Sequence, residues 1–355
     1  MVSVFIYILS SFSNASLPFF FRPFTSSAES KLPALILGWT QIFGKSLVSE
    51  LGTTVLHCPT ATCLFTGNRS LLNSSQVVFF HERDFSLMDL PERRHTSQMF
   101  VIANWEAPVY LAGKTAFLND NFFNLTMTYR RDSDIFAPYV SFEEMNDTHE
   151  LSDMDLRELI NNKTKHIARF VSNCFILSHR EALQKYIPVD IYGACGPLTC
   201  PRENDGCKEL LRKEYRFYLA FENTICLDYV TEKSLTALST YVVPIVLSRS
   251  VSQPLLPSNS FAAVDDFDSP KRLSELLYLL GNDTSRYVTY FQYKGKYIAH
   301  RKLWTRSFCR LCDHISTDRK PSVRKTKNFN FWFRNGSNCA AVFVVDDPET
   351  SFNST

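Results

Sequence analysis

Four groups of residues in this chain have the types and spacing to do chemistry. Glu106 lies in Asn104-Trp105-Glu106-Ala107-Pro108, just past an apolar run at 99–104 that reads as a strand. A carboxylate at the carboxyl end of a strand, beside a tryptophan and a proline turn, is partly desolvated and held rigid. That suits a general base, although a surface glutamate in a turn has the same local sequence. Arg130-Arg131-Asp132-Ser133-Asp134 contains a D-x-D triplet, a spacing that can hold a divalent ion against a diphosphate. The two adjacent arginines favour a structural ion-pair network with the aspartates instead. The triplet recurs at Asp153-Met154-Asp155 and Asp266-Phe267-Asp268, so it is unspecific. In Phe221-Glu222-Asn223-Thr224-Ile225-Cys226-Leu227-Asp228-Tyr229-Val230-Thr231-Glu232-Lys233 a strand ends at Glu222 and Asn223, and a helix opens near Thr231. Helix N-termini bind phosphate and Lys233 adds a full charge there. A capped core helix with a solvated lysine fits the same residues. Cys309-Arg310-Leu311-Cys312 with His314 is half a zinc site or a local disulfide; no second C-x-x-C accompanies it. The chain has no G-x-S-x-G and no glycine-rich dinucleotide loop, which weighs against a serine hydrolase or an NAD enzyme.

The elements that must position these groups are legible as an alternating pattern. Short apolar runs at 35–39, 53–57, 76–80 and 99–104 read as strands of a parallel sheet covered on both faces. Residues 143–165 turn acidic and read as a linker with a short helix at 153–161. The alternation then resumes, with strands at 166–171, 189–193, 215–221 and 242–247 and helices at 179–186, 231–239 and 270–281. Ser269 before Pro270 is good capping chemistry. Two open α/β units in tandem form a cleft at the carboxyl ends of their strands. The expected organisation is a poor or truncated signal-anchor and stem at 1–30, a first Rossmann-like domain at 31–150, a linker at 151–165, a second domain at 166–320 and a tail at 321–355.

Composition bounds the setting. A net charge of +2 gives the chain no pull towards nucleic acid. The basic run Arg319, Lys320, Arg324, Lys325 and Lys327 reads as a solvated loop. The 10 cysteines are an even number and too many for a typical cytosolic enzyme. N-x-S/T sequons at Asn14, Asn68, Asn73, Asn124, Asn146, Asn162, Asn282, Asn335 and Asn353 agree with a luminal address, with Asn124, Asn146, Asn162 and Asn282 as glycosylation candidates. Residues 2–12 and 17–21 are apolar but lack a preceding positive charge and are split by polar residues, so the anchor is atypical.

Most of the chain, from about Leu35 to Cys312, resembles the alpha-1,3-fucosyltransferases. The resemblance rests on ILGWT at 36–40, Cys58 and Cys63 ahead of NRSLL, VVFFHERD at 77–84, the E-x-P of Glu106-Ala107-Pro108, and FFNLTMTYRRDSDIFAPY at 122–139. It continues through VSNC at 171–174 with Arg180, VDIYGACG at 189–196, YRFYLAFENTICLDYVTEK at 215–233, VPIVL at 243–247 and FCRLC at 308–312. The resemblance implies an α/β fold of GT-B type, two facing Rossmann-like domains with an inter-domain cleft. It implies an inverting transfer of L-fucose from GDP-fucose in alpha-1,3 linkage to N-acetylglucosamine of a glycan on a glycoprotein or glycolipid. Glu106 would be the base, and Arg180, Asn223, Tyr229, Glu232 and Lys233 would bind the donor. No cofactor is obligatory in that scheme, a divalent cation at most stimulates, and the setting is the luminal side of the Golgi membrane with a type II anchor. Cys58–Cys63 and Cys309–Cys312 are expected as local disulfides, with the other pairings open. The chain departs from the family pattern at Leu125, where tryptophan is usual, at Ser234-Leu235, where Leu-Trp is usual, and at Tyr241 and Ser248, where glycines are usual. A catalytically impaired relative that binds glycan or nucleotide sugar without turnover is the alternative reading of those departures.

Overall fold

The structure, a computed structural model, describes residues 32–340 except 112, 119, 145–151, 172–173, 175–179, 201–204, 301–302 and 318–327. The expected signal-anchor, the basic run at 319–327 and the sequon at Asn146 therefore lie outside the described residues.

The first part of the chain builds a sheet from β1 (Ala34–Gly38), β2 (Val55–His57), β3 (Thr62–Thr66), β4 (Val77–His81), β5 (Met99–Asn104), β6 (Leu125–Thr128) and β7 (Ile135–Phe136), in the order β2-β3-β1-β4-β5-β6-β7. Every neighbouring pair is parallel except the edge hairpin β2–β3. The second part follows β8 (Phe142–Glu144) with β9 (Lys165–Phe170), β10 (Val189–Tyr192), β11 (Tyr215–Leu219), β12 (Val243–Val246) and β13 (Ala262–Ala263), an all-parallel sheet in the order β10-β9-β11-β12-β13. β14 (Tyr297–Ala299) then pairs antiparallel with β8, so the outgoing and returning crossings between the two lobes run side by side.

The continuous apolar runs in β4 and β5 are explained by burial on both faces. Successive side chains alternate between faces. Val77, Phe79, Val101 and Ala103 join Phe308, Leu311 and Cys312 in one cluster, while Val78, Phe80, Phe100 and Ile102 join Phe329 and Phe333 in another. Both covers come from the end of the chain: helix Leu303–Thr317 lies on one face and helix Phe329–Asn335 on the other. Helices Leu303–Thr317 and Phe329–Asn335, expected within the second domain and the tail, thus complete the first lobe's core.

The disulfides correct the expected local pairing. Cys58 joins Cys309 and Cys63 joins Cys312, with Cα separations of 5.3 and 6.0 Å. Cys309 and Cys312 are three residues apart on a helix and so share a face. That face lies against the β2–β3 hairpin, which presents Cys58 and Cys63 to it. A first link closing a loop of 251 residues removes on the order of 5 kcal/mol of unfolded-chain entropy. The second closes almost the same circuit and adds little by that mechanism. Cys174–Cys195, Cys200–Cys207 and Cys226–Cys339 account for the other six cysteines.

The sequon at Asn124 is also corrected as a glycosylation site. Asn124 is buried, and its Oδ1 accepts from the Phe100 N–H at 2.7 Å and from the Arg94 guanidinium. The amide is a strut between β5 and the chain entering β6, with no room for a glycan. Asn162 and Asn282 are exposed and remain candidates.

Candidate active site

Glu106 sits two residues beyond the last ladder pair of β5, where Asn104 pairs with Thr128. Asn104 is fully buried and grips the next turn reciprocally: its Nδ2 donates to the Glu106 carbonyl at 2.7 Å, and its Oδ1 accepts from the Glu106 N–H at 3.3 Å. Trp105 wedges the turn from behind. Its Nε1 donates to the Ala137 carbonyl at 3.0 Å, its own carbonyl accepts from the Tyr139 hydroxyl at 2.6 Å, and its ring packs on Trp304. The Glu106 carboxylate is left half-buried, with Arg83 at 3.4 Å. A fixed backbone below a partly solvated carboxylate is what a general base needs, since acceptor must reach it and geometry must persist.

The second lobe meets this turn at the carboxyl end of β11. Glu222 is buried there and accepts three hydrogen bonds: from the Thr231 N–H at 2.7 Å, the Thr231 hydroxyl at 2.9 Å and Lys233 Nζ at 2.7 Å. Burial pushes its pKa up, with Lys233 opposing. Three donors and no acceptor nonetheless suit a carboxylate. Burial disfavours the Lys233 ammonium, but Glu222 and Glu232 outweigh that and hold it above the ordinary lysine range. Lys233 is therefore a cation fixed in the first turn of helix Glu232–Ser239, with 24% of its side chain exposed towards solvent.

Three tyrosines register that the two lobes share one cleft. The Tyr110 hydroxyl donates to the Asn223 carbonyl at 3.4 Å; burial and Glu106 raise its pKa while Lys233 lowers it. Tyr139 is pushed up by burial, then by Glu106, Glu232 and Glu222. Tyr229 is pushed up by burial, then by Tyr139, Glu222 and Glu106. Glu106 from one lobe and Lys233 from the other thus act on one hydroxyl, that of Tyr110, while Tyr139 and Tyr229 lie within the field of carboxylates from both lobes.

The sequence-derived site residues divide by what surrounds them. Glu106, Asn223, Tyr229 and Lys233 come together; Tyr229 is buried, its ring 5.0 Å from Tyr129 and 6.3 Å from Tyr139. Glu232 is the outer partner, 64% exposed and 3.9 Å from Lys233. Arg180 opens helix Arg180–Gln184, but its side chain lies outside the described residues. The D-x-D triplet is fully occupied by local structure. Asp132 takes a bidentate pair from Arg130, Asp134 accepts from the Thr126 N–H and hydroxyl, and Arg131 turns away to Asp228 at 2.9 Å.

Glu222 is not among the site residues that the sequence marks, although it stands within the 221–233 stretch. Its signal was available: a strand-end glutamate followed by a threonine and a lysine at a helix start. Two departures from the family pattern lie beside it. Ser234 and Ser248 line a small cavity with Glu222 and Tyr229, and the Ser234 hydroxyl is buried without a partner among the described residues. Tyr241 has φ +54°, the left-handed region, just after helix Glu232–Ser239. A non-glycine residue costs about 1–2 kcal/mol there. The ring offsets part of this by packing 5.8 Å from Phe291 with Lys294 Nζ 4.1 Å above it.

Two family models match: the N-terminal fucosyltransferase region over residues 31–140 and the C-terminal region of glycosyltransferase family 10 (fucosyltransferase) over residues 160–332. Together they take in most of the chain. This chain belongs to the family 10 fucosyltransferases. Glycoprotein 3-alpha-L-fucosyltransferase A of Drosophila melanogaster is 36% identical over 79% of this chain, which spans 56% of that relative's length. Alpha-(1,3)-fucosyltransferase C of the same fly is 35% identical over 79% of this chain and 72% of its own. Human 4-galactosyl-N-acetylglucosaminide 3-alpha-L-fucosyltransferase FUT6 is 34% identical over 84% of this chain and 82% of its own. A solved alpha1,3-fucosyltransferase with GDP superposes loosely, with a TM-score of 0.49 and 17% identity over 82% of this chain and 93% of that one. Membership makes the chain a glycosyltransferase. Among the described residues no helix is long and apolar enough to cross a membrane.

Proposed function

We propose that the chain transfers L-fucose from GDP-fucose, in alpha-1,3 linkage and with inversion, to N-acetylglucosamine of a glycoprotein glycan in the Golgi lumen. The observation that carries this reading is the contact between the lobes at Tyr110, four residues past Glu106, whose hydroxyl reaches the Asn223 carbonyl on the segment that leads to Lys233. Inversion needs one base on the acceptor face while the nucleotide departs from the other. Glu106 takes the acceptor hydroxyl proton as the C–O bond forms, and the fucose–phosphate bond breaks with its electrons going to GDP. GDP leaves readily, so a second carboxylic acid is unnecessary, unlike in glycoside hydrolysis. The transition state instead needs fixed positive charge at the developing phosphate, which Lys233 supplies at a helix start and Arg180 would add as a bidentate fork. Glu222 keeps Lys233 in place before the donor arrives.

The luminal setting is supported by the described disulfides and the exposed sequons at Asn162 and Asn282. The expected anchor, within residues 1–30, lies outside the described residues. The test is a transfer assay with purified protein, offering GDP-fucose, GDP-mannose and UDP-sugars against core and antennal acceptors. Fucose transfer from GDP-fucose alone, recovered as an alpha-1,3 product, is the expected result. Folded, donor-binding protein that transfers nothing to any acceptor would overturn the proposal.

A further inference from the structure

A second cavity, of about 820 Å³, opens where the crossings between the lobes run side by side, away from Glu106 and Lys233. Its walls come from β7 and the segment running into β8, the turn at 292–296 with the start of β14, the second-lobe loop at 254–258, and helix Leu303–Thr317. The aromatic residues Phe136, Phe142, Tyr293 and Tyr297 line it, together with Lys296 and Arg310. Among the described residues no aspartate or glutamate does.

The two cations are the informative pair. Arg310 donates to the Phe136 carbonyl at 2.7 Å and lies 5.4 Å over the Phe136 ring, so its guanidinium is held at the cavity wall without a carboxylate. Lys296 is exposed, and among the described residues no carboxylate lies within ion-pair distance of it. The neighbouring acid, Glu143, is already taken by Arg306 at 2.7 Å and His300 at 2.8 Å. Two cations facing one cavity with no carboxylate lining it make its potential positive and attract an anion there. Four rings offer flat apolar surface of the kind that packs on the C–H faces of sugars, and Ser141, Ser258 and Gln292 supply scattered hydrogen-bonding groups.

We propose that this junction cavity is a binding site for an anionic saccharide, its rings stacked on the aromatic wall and its acidic group held between Lys296 and Arg310. The choice of a saccharide over another anion rests on the glycan-acting reading above; the charge argument does not. The site has a route to the reaction centre. The segment 136–142 that lines the cavity also carries Ala137 and Tyr139, which hold Trp105 beside Glu106. A ligand here sits against the support of the base and against both crossings.

The test uses direct binding, without donor or turnover. Lactose, 3′-sialyllactose and 3′-sulfolactose are titrated against the whole protein, the two charged probes separating a carboxylate from a sulfate ligand. One or both charged probes bind, neutral lactose does not, and binding weakens in high salt. Lys296→Ala weakens it a few-fold, and Lys296→Ala with Arg310→Gln about tenfold, as for exposed cations. Melting with and without GDP-fucose confirms that both variants are folded. In a readout independent of mutation, the bound probe shields Lys296 from acetylation while Lys294 and Lys271 acetylate as before. Equal binding of the three probes, unchanged binding in the double variant, or unshielded Lys296 overturns the proposal. So does an acidic phosphopeptide that binds this site while all the sugars fail. Transfer to a neutral acceptor, measured separately, reports on the catalytic reading alone and is expected to be unchanged by Lys296→Ala.

Discussion

Replacing Lys233 by methionine should damage stability and donor binding together, and the structure sets the scale. Lys233 Nζ lies 2.7 Å from Glu222 Oε2, and both groups are largely withdrawn from water. At an effective dielectric of about 20 the gross attraction at that distance is about 6 kcal/mol. Desolvation of both charges offsets much of it, so the pair itself contributes little net stability. Breaking it is different, because Lys233→Met leaves a buried carboxylate with only the Thr231 donors. The expected loss is about 3 kcal/mol in urea denaturation under oxidising conditions. Glu222→Gln alone should cost less, and the double variant should be more stable than Lys233→Met. The coupling energy of the cycle should reach about 2 kcal/mol. Because Glu222 already has a raised pKa, the lone carboxyl should take up a proton more readily still, so the Lys233→Met deficit should shrink as pH falls. Donor affinity measured by GDP-fucose titration should fall at least about tenfold in Lys233→Met. Additive effects within about 0.5 kcal/mol, or unchanged donor affinity, would refute the idea that Glu222 preorganises the phosphate-binding cation.

Two further outcomes follow from buried polar groups. Glu82 is buried, and burial raises its pKa to about 6 against Lys114 and Arg334, which lower it. The folded state therefore binds the proton more tightly than the unfolded chain, and this group's favourable contribution is lost as pH rises through about 6. Glu82→Gln should then stabilise the protein by about 2 kcal/mol above pH 6 and leave it unchanged near pH 4, read from melting curves across that range. Glycopeptide mass spectrometry of protein from an insect or mammalian secretory host should find Asn162 and Asn282 modified and Asn124 bare, with Asn124→Gln lowering stability; a glycan on Asn124 would contradict its role as a buried strut.

The parts of the fold that sequence reveals are those where one local rule governs. β5 is legible residue for residue because a strand covered on both faces reads as a near-continuous apolar run, here Met99 to Ala103. Helix Pro270–Asn282 was announced by Ser269, whose side chain accepts from the Arg272 N–H. β6 was not legible, because Thr126 and Thr128 put polar groups on a buried strand. They are tolerated only because Asp134 and Ser133 come back to bond them. The disulfide pairs were misread for a similar reason. Spacing alone makes Cys309 and Cys312 look like partners of each other; on helix Leu303–Thr317 they share a face, and the hairpin opposite is about 250 residues away in sequence. In the site, Glu106 and Lys233 were marked by the motifs around them. The tie between them was invisible, since Tyr110 reaching Asn223 is a contact between lobes that no local pattern encodes.

Glu106→Gln bears most directly on the central claim, that a carboxylate on the first lobe takes the acceptor proton while the second lobe grips the diphosphate. The substitution leaves the Asn104 and Trp105 contacts in place, because they use the backbone at or next to position 106, so the turn should hold. The expected result is a fall in kcat of at least about a hundredfold with the GDP-fucose dissociation constant unchanged. Retained turnover, or loss of donor affinity in step with rate, would contradict it.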